Sequence, residues 1–146
     1  EILDDPCERV ISEFVEFRAG AIGFDEKPYH TDNKVLADIV RNVTRDCSVL
    51  DSHIAGVLSD GWSMHRLGAT MRALLRAACY ELVSCSDVPV RVVIKEYVDI
   101  ARGFHDLEET GFVNAALDRL ARVLRTQEMK SDRSNEEPEV DAALSR

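Results

Sequence analysis

Residues 72–125 read RALLRAACYELVSCSDVPVRVVIKEYVDIARGFHDLEETGFVNAALDRLARVLR, and this run decides the fold. Leu74, Leu75, Ala78, Cys79 and Leu82 recur at three- and four-residue steps, the period of a helix with one buried face. Ser86-Asp87-Val88-Pro89 ends it, because proline lacks the amide a helix interior needs yet fits a first turn. Ile94, Tyr97, Val98 and Ala101 give a second apolar stripe, closed by Gly103. After a polar loop over 105–111, Phe112, Val113, Ala116, Leu117, Leu120 and Leu124 give a third. Three amphipathic helices with short joints bury their stripes most simply against one another, as a small bundle.

Upstream, Asp5 before Pro6, with Glu8 three positions on, has the form of a helix start. Val10, Ile11, Phe14, Val15 and Phe17 supply that helix with an apolar side. Gly20, Gly23 and Pro28 break a connector over 19–29. A second, long helix is expected from Thr31 or Asp32, about seven turns in length, ending at Ser59-Asp60-Gly61. Trp62 follows as a hydrophobic plug between two helical groups, and Ser63 caps one short turn. Past Arg125 the apolar period is lost, so 126–146 reads as a disordered acidic tail. The expected organisation is all-α: an N-terminal subdomain over 1–61, a C-terminal bundle over 62–125, and the tail.

The balance of residues agrees. Of 146 residues 45% are hydrophobic and only 6% aromatic, which suits leucine- and alanine-rich helices around one core. No apolar run is long enough to span a bilayer and no secretory signal opens the chain, so a membrane association is not expected. The four cysteines show no C-x-x-C spacing and the four histidines are scattered, which argues for core thiols rather than a metal site. Free thiols point to a reducing, cytoplasmic setting. Net charge is −9, split as −7 over 1–61, +1 over 62–125 and −3 over 126–146. A nucleic acid would be repelled by the front half and the tail, and would have to use the C-terminal helices. No glycine-rich phosphate loop, nucleophile elbow or paired-carboxylate motif is present, so neither an enzyme nor a cofactor is indicated.

Three motifs carry a family resemblance. Leu75-Arg76-Ala77-Ala78-Cys79-Tyr80-Glu81-Leu82 precedes Asp87-Val88-Pro89 and Val93-Ile94-Lys95-Glu96, and Phe112-Val113-Asn114-Ala115-Ala116-Leu117-Asp118 follows. In this order and spacing they resemble the NusB transcription antitermination family. Phe14-Val15-Glu16-Phe17-Arg18 and Gly61-Trp62-Ser63 are similar to its alphaproteobacterial members. Lys95 stands where asparagine is frequent, and Ala115 where glycine is. The resemblance implies an all-helical fold of two small bundles. It also implies binding of boxA-type single-stranded RNA together with the ribosomal protein NusE, within the RNA polymerase antitermination complex. Family members open with an arginine-rich segment and a first helix, and a chain beginning at Glu1 is expected to lack both.

Residue by residue, the RNA candidates are Arg76, Lys95, Glu108, Phe112 and Asn114. Arg76 is balanced between a phosphate contact and a structural carboxylate partner. Phe112, at the start of the third helix, could stack on an unpaired base or fill the core, and Asn114 could cap that helix or donate to phosphate. Glu108 could accept from a base edge. The candidates for a protein partner are Met71, Arg72, Leu75, Tyr80 and Glu81, with Tyr80 and Glu81 leaning toward a structural role. Asp118 is expected to pair with Arg122 four residues on. The rival readings are a helical interaction module without an RNA role, and an RNA-binding domain of an rRNA-modifying system.

Overall fold

Asp5 does start a helix: its carboxylate accepts the Cys7 amide at 2.8 Å, and α1 runs Pro6–Phe17. In the computed structural model, residues 5–17 and 32–136 are described; the expected connector over 19–29 lies outside them. Asp32 caps α2 (Asn33–Arg45), accepting from the amides of Lys34 and Val35 at 3.1 and 3.2 Å. The chain then forms α3 (Cys47–Ala55), α4 (Ala69–Ser84), α5 (Val90–Phe104), α6 (Leu107–Leu124) and α7 (Thr126–Glu136). Every regular element among the described residues is a helix.

The α4 helix is the hub, packed against α2, α3, α5 and α6. Leu75, Ala78 and Cys79 on it are wholly buried, and they meet Val90, Val93 and Ala101 of α5 and Val113, Leu117 and Leu120 of α6. Burial pushes the Cys79 thiol up to about 11, so it packs as a small hydrophobe. Leu50 and Ile54 of α3 belong to the same cluster, although the sequence grouped them with the N-terminal helices. The α1 helix packs on α2, which reaches the core through α4. There Asn42 donates to the Tyr80 hydroxyl at 3.0 Å, and Arg41 of α2 pairs with Glu8 of α1.

Four expectations need correction. The long second helix is two: Asp46 interrupts it, with Arg45 turned onto its carboxylate at 2.9 Å, and the chain leaves α3 at Gly56. The loop expected over 105–111 shrinks to His105 and Asp106. Asp106 caps α6, accepting from the Glu109 amide at 2.8 Å, and the helix runs through Gly111. Third, α5 continues past Gly103 to Phe104. Last, 126–136 is a helix rather than disordered tail, while 137–146 lies outside the described residues. α7 shows no apolar stripe because polar groups hold it. Glu128 accepts from the Val90 amide at 2.7 Å, Asp132 pairs with Arg91 at 3.1 Å, and Met129 alone adds to the core.

Leu75→Ala and Leu117→Ala should each cost about 2–5 kcal/mol of stability in urea denaturation, as for other fully buried leucines. A loss below about 1 kcal/mol would place them off the core. Arg125, buried with its guanidinium on four backbone carbonyls, is a second weak point. Arg125→Met should lose at least about 2 kcal/mol through stranded carbonyls, and Arg125→Lys an intermediate amount, since it keeps charge without the fork.

Candidate nucleic-acid interface

The connector from α3 to α4 and the first turns of α6 enclose a cleft of about 380 Å³. An aromatic pair lines it: Trp62 from the connector and Phe112 from α6 have ring centroids 5.1 Å apart, tilted by 44°. Trp62 is 49% exposed, so it is a half-open face rather than the plug expected between helical groups. Phe112 lies on the second turn of α6 rather than at its start, because the Asp106 cap stands six residues before it and Leu107 is the first helical residue. Phe112 is partly buried against the core, which fixes the ring that Trp62 meets.

Backbone chemistry holds Trp62 in place. Gly61 has φ 85°, a left-handed conformation that suits glycine, and the Trp62 amide donates to the Ser59 carbonyl at 3.0 Å. Arg66 donates to the Gly61 carbonyl, and Arg119 of α6 to the Ser59 hydroxyl at 3.2 Å. Arg72 reaches back to the Met64 and Leu67 carbonyls, both at 3.3 Å. Three arginines therefore fasten the connector. The charged lining is mostly acidic: Asp106, Glu108 and Glu109, exposed side chains, share the cleft with Arg66. His105 donates or accepts at Nδ1 against Glu109 at 2.9 Å.

The sequence candidates fall in several places. Glu108 and Phe112 share the cleft with Met71, which is 6% exposed. Lys95 and Asn114 lie elsewhere, along a shallow α5–α6 groove, where Lys95 and Arg102 both pair with Asp99 at 2.8 and 3.0 Å. Asn114 is exposed in mid-helix and caps nothing. Arg76 has taken its structural option: its guanidinium meets both Asp51 oxygens, at 2.7 and 2.8 Å. The bond from Arg76 holds the Asp51 carboxyl below the ordinary range, with burial opposing. Among the partner candidates, Leu75 is wholly buried and offers no surface. Arg72 serves the connector and Tyr80 bonds α2. Burial pushes the Glu81 carboxyl up, a bond from the Tyr97 hydroxyl opposes this, and Glu96 adds to it. Asp118 pairs with Arg122 at 2.9 Å, as its spacing requires.

Sequence reasoning weighed Glu109 beside Glu108 as an acceptor for a base edge, but passed over Arg66 and Asp106 as parts of the cleft. Asp106-x-x-Glu109 is a legible capping pattern, but nothing local announces that Arg66 turns back onto Gly61.

Comparison with known proteins bears on this arrangement. The NusB family model matches residues 4–122, and α7 lies beyond the match. The transcription antitermination protein NusB of Sphingopyxis alaskensis is 42% identical over 120 residues, covering 82% of this chain and 80% of its own. That of Caulobacter vibrioides is 43% identical over 125 residues, covering 86% and 84%. A solved structure of T. maritima NusB superposes with a TM-score of 0.61 at 32% identity, over 70% of this chain and 72% of that one.

The Arg76–Asp51 pair gives a pH-dependent expectation. A depressed carboxyl stabilises the fold above its unfolded value, 3.8, and the contribution is lost as pH falls through the folded value below that. Asp51→Asn should therefore be less stable than the parent at neutral pH, with the gap closing as both are taken below 3.8. A gap that stays constant through acid would mean the pair is not its source.

Proposed function

The chain belongs to the NusB family, and from that membership we propose that it acts in transcription antitermination by binding boxA-type single-stranded RNA jointly with NusE. The role is one of binding rather than catalysis. No described helix is long and apolar enough to cross a membrane.

The observation that carries the RNA reading is the half-open Trp62–Phe112 pair in a cleft lined also by three carboxylates. An unstacked base can lie on an exposed aromatic face whatever its sequence, a contact worth about 1–3 kcal/mol per base. Carboxylates in the lining repel phosphate but accept hydrogen bonds from exocyclic amines, as glutamate and aspartate do from cytosine. A strand entering here comes base-first, with its backbone turned outward. Phosphate contact must then come from elsewhere. Residues 62–125 carry one net positive charge, and Arg76, Lys95 and Arg102 are already paired. A basic partner bound beside the cleft supplies what the chain lacks, and two weak contacts then act as one stronger one.

Titration of a labelled boxA-type RNA should therefore show weak binding by the chain alone and clearly tighter binding with NusE present. Trp62→Ala and Phe112→Ala should each weaken the joint complex by about 1–3 kcal/mol, on the order of five- to a hundredfold. Trp62→Ala is the cleaner of the two, since its ring is half exposed while Phe112 also packs on the core. Undiminished affinity in Trp62→Ala would remove the cleft from the RNA path. No binding by the parent, even with NusE, would leave the helical interaction module as the better reading.

A further inference from the structure

The α7 helix sorts its charges by face. Glu128 and Asp132 point into the body, spent on the Val90 amide and Arg125 in one case and on Arg91 in the other. Lys130 and Arg133 lie on the other side, both exposed, with no ion pair among the described residues. With Thr126 and Met129 they form a shallow groove that continues onto α6 through Arg122. The break at Arg125 does not interrupt the groove, because the Thr126 hydroxyl donates back to the Arg122 and Val123 carbonyls at 2.9 and 3.2 Å. A helix that the sequence marks as acidic thus presents a basic outer face.

We propose that this Lys130–Arg133 ridge, next to an Arg122 already paired with Asp118, binds the phosphate backbone of RNA flanking the boxA-type segment, as the strand leaves the Trp62–Phe112 cleft. The inference rests on the RNA reading above. Two observations lead to it. The groove it lines continues onto α6, which also lines the cleft: Arg122 follows Phe112 by ten residues, about 15 Å along a helix rising 1.5 Å per residue. Its chemistry also complements that of the cleft. The cleft is built for bases and repels phosphate, whereas the ridge offers cations without aromatic rings. Glu136, Glu137, Glu139 and Asp141 follow in the sequence and offset the long-range field. What the ridge supplies is therefore short-range contact, strongly dependent on salt, rather than steering.

The test is a fluorescence titration, with NusE present, of a boxA-type RNA and of the same RNA extended by a uridine tract at either end. The parent should bind one extended RNA severalfold tighter than the short one, with a steeper dependence on salt. Lys130→Gln/Arg133→Gln should leave the short RNA unaffected, abolish the gain from extension, and flatten its log–log salt slope by about 1.4, at roughly 0.7 per single-strand phosphate contact. Lys130→Arg/Arg133→Lys should restore both. A gain that survives in the glutamine variant overturns the proposal. So does a short RNA that binds while neither extension adds anything, although the cleft reading then stands. Binding of an extended RNA without the short one would keep the ridge and sink the cleft, and no binding of any RNA sinks both. If the glutamine variant instead loses affinity for NusE, the ridge belongs to the protein partner and the RNA assignment fails.

Discussion

The turn between α4 and α5 is held by two side chains that come from outside it. Arg125, at the end of α6, donates to the carbonyls of Glu81, Leu82, Cys85 and Val88, at distances from 2.6 to 3.1 Å. The Leu82 carbonyl belongs to the last turn of α4, where a helix leaves its acceptors without partners, while those of Glu81 and Cys85 also accept the Cys85 and Val88 amides. Glu128, one turn further, bonds Arg125 at 3.0 Å and the first amide of α5 at 2.7 Å. A cation thus sits at the end of one helix and an anion at the start of the next, both favoured by the helix dipoles. The Asp87-Val88-Pro89 sequence can stop α4 and start α5, but it fixes no angle between them. Arg125 and Glu128 do, and the core formed by α4, α5 and α6 depends on that angle.

The same economy governs most cations of the chain. Arg72, Arg66 and Arg119 hold the connector, Arg76 holds α3 to α4, and Arg41 holds α1 to α2. An arginine tied to a carbonyl or a carboxylate has little left for a phosphate. In a chain of net charge −9, the proposed RNA binding would therefore rest on aromatic faces and on surface brought by a partner rather than on charge.

Helical periodicity made α4, α5 and most of α6 legible, because their stripes are long and built from residues that are in fact buried. The caps at Asp5 and Asp32 were legible for the same local reason. What escaped was structure decided over long range. The break at Asp46 contains neither glycine nor proline, and an apolar period runs straight through it. The start of α6 was hidden by Gly111, which a helix tolerates at a cost of about 1 kcal/mol when packing supplies more. α7 was hidden because its stabilising partners, Val90 and Arg91, lie some forty residues away. The cleft was half visible. Phe112 was named from a motif and Glu108 from the segment before it, but their companions Trp62 and Arg66 come from a connector whose course depends on Gly61, on Arg66 itself, and on Arg72 and Arg119 from the flanking helices.

That dependence has a consequence for how the cleft works. A loop usually carries binding residues at the cost of mobility, and ordering it on binding consumes affinity. Here the connector is fastened to α4 by Arg72 and to α6 by Arg119, and Arg66 closes the turn at Gly61. Trp62 is thereby set against Phe112 before any ligand arrives. The chain spends cations that could have met phosphates on fixing an aromatic platform. On the proposed RNA reading, a few stacked bases would meet a surface that needs little further ordering, while the charge a polyanion requires would be supplied from outside the cleft. Weak intrinsic affinity with strong dependence on a partner is the behaviour the proposed reading then requires of such a construction.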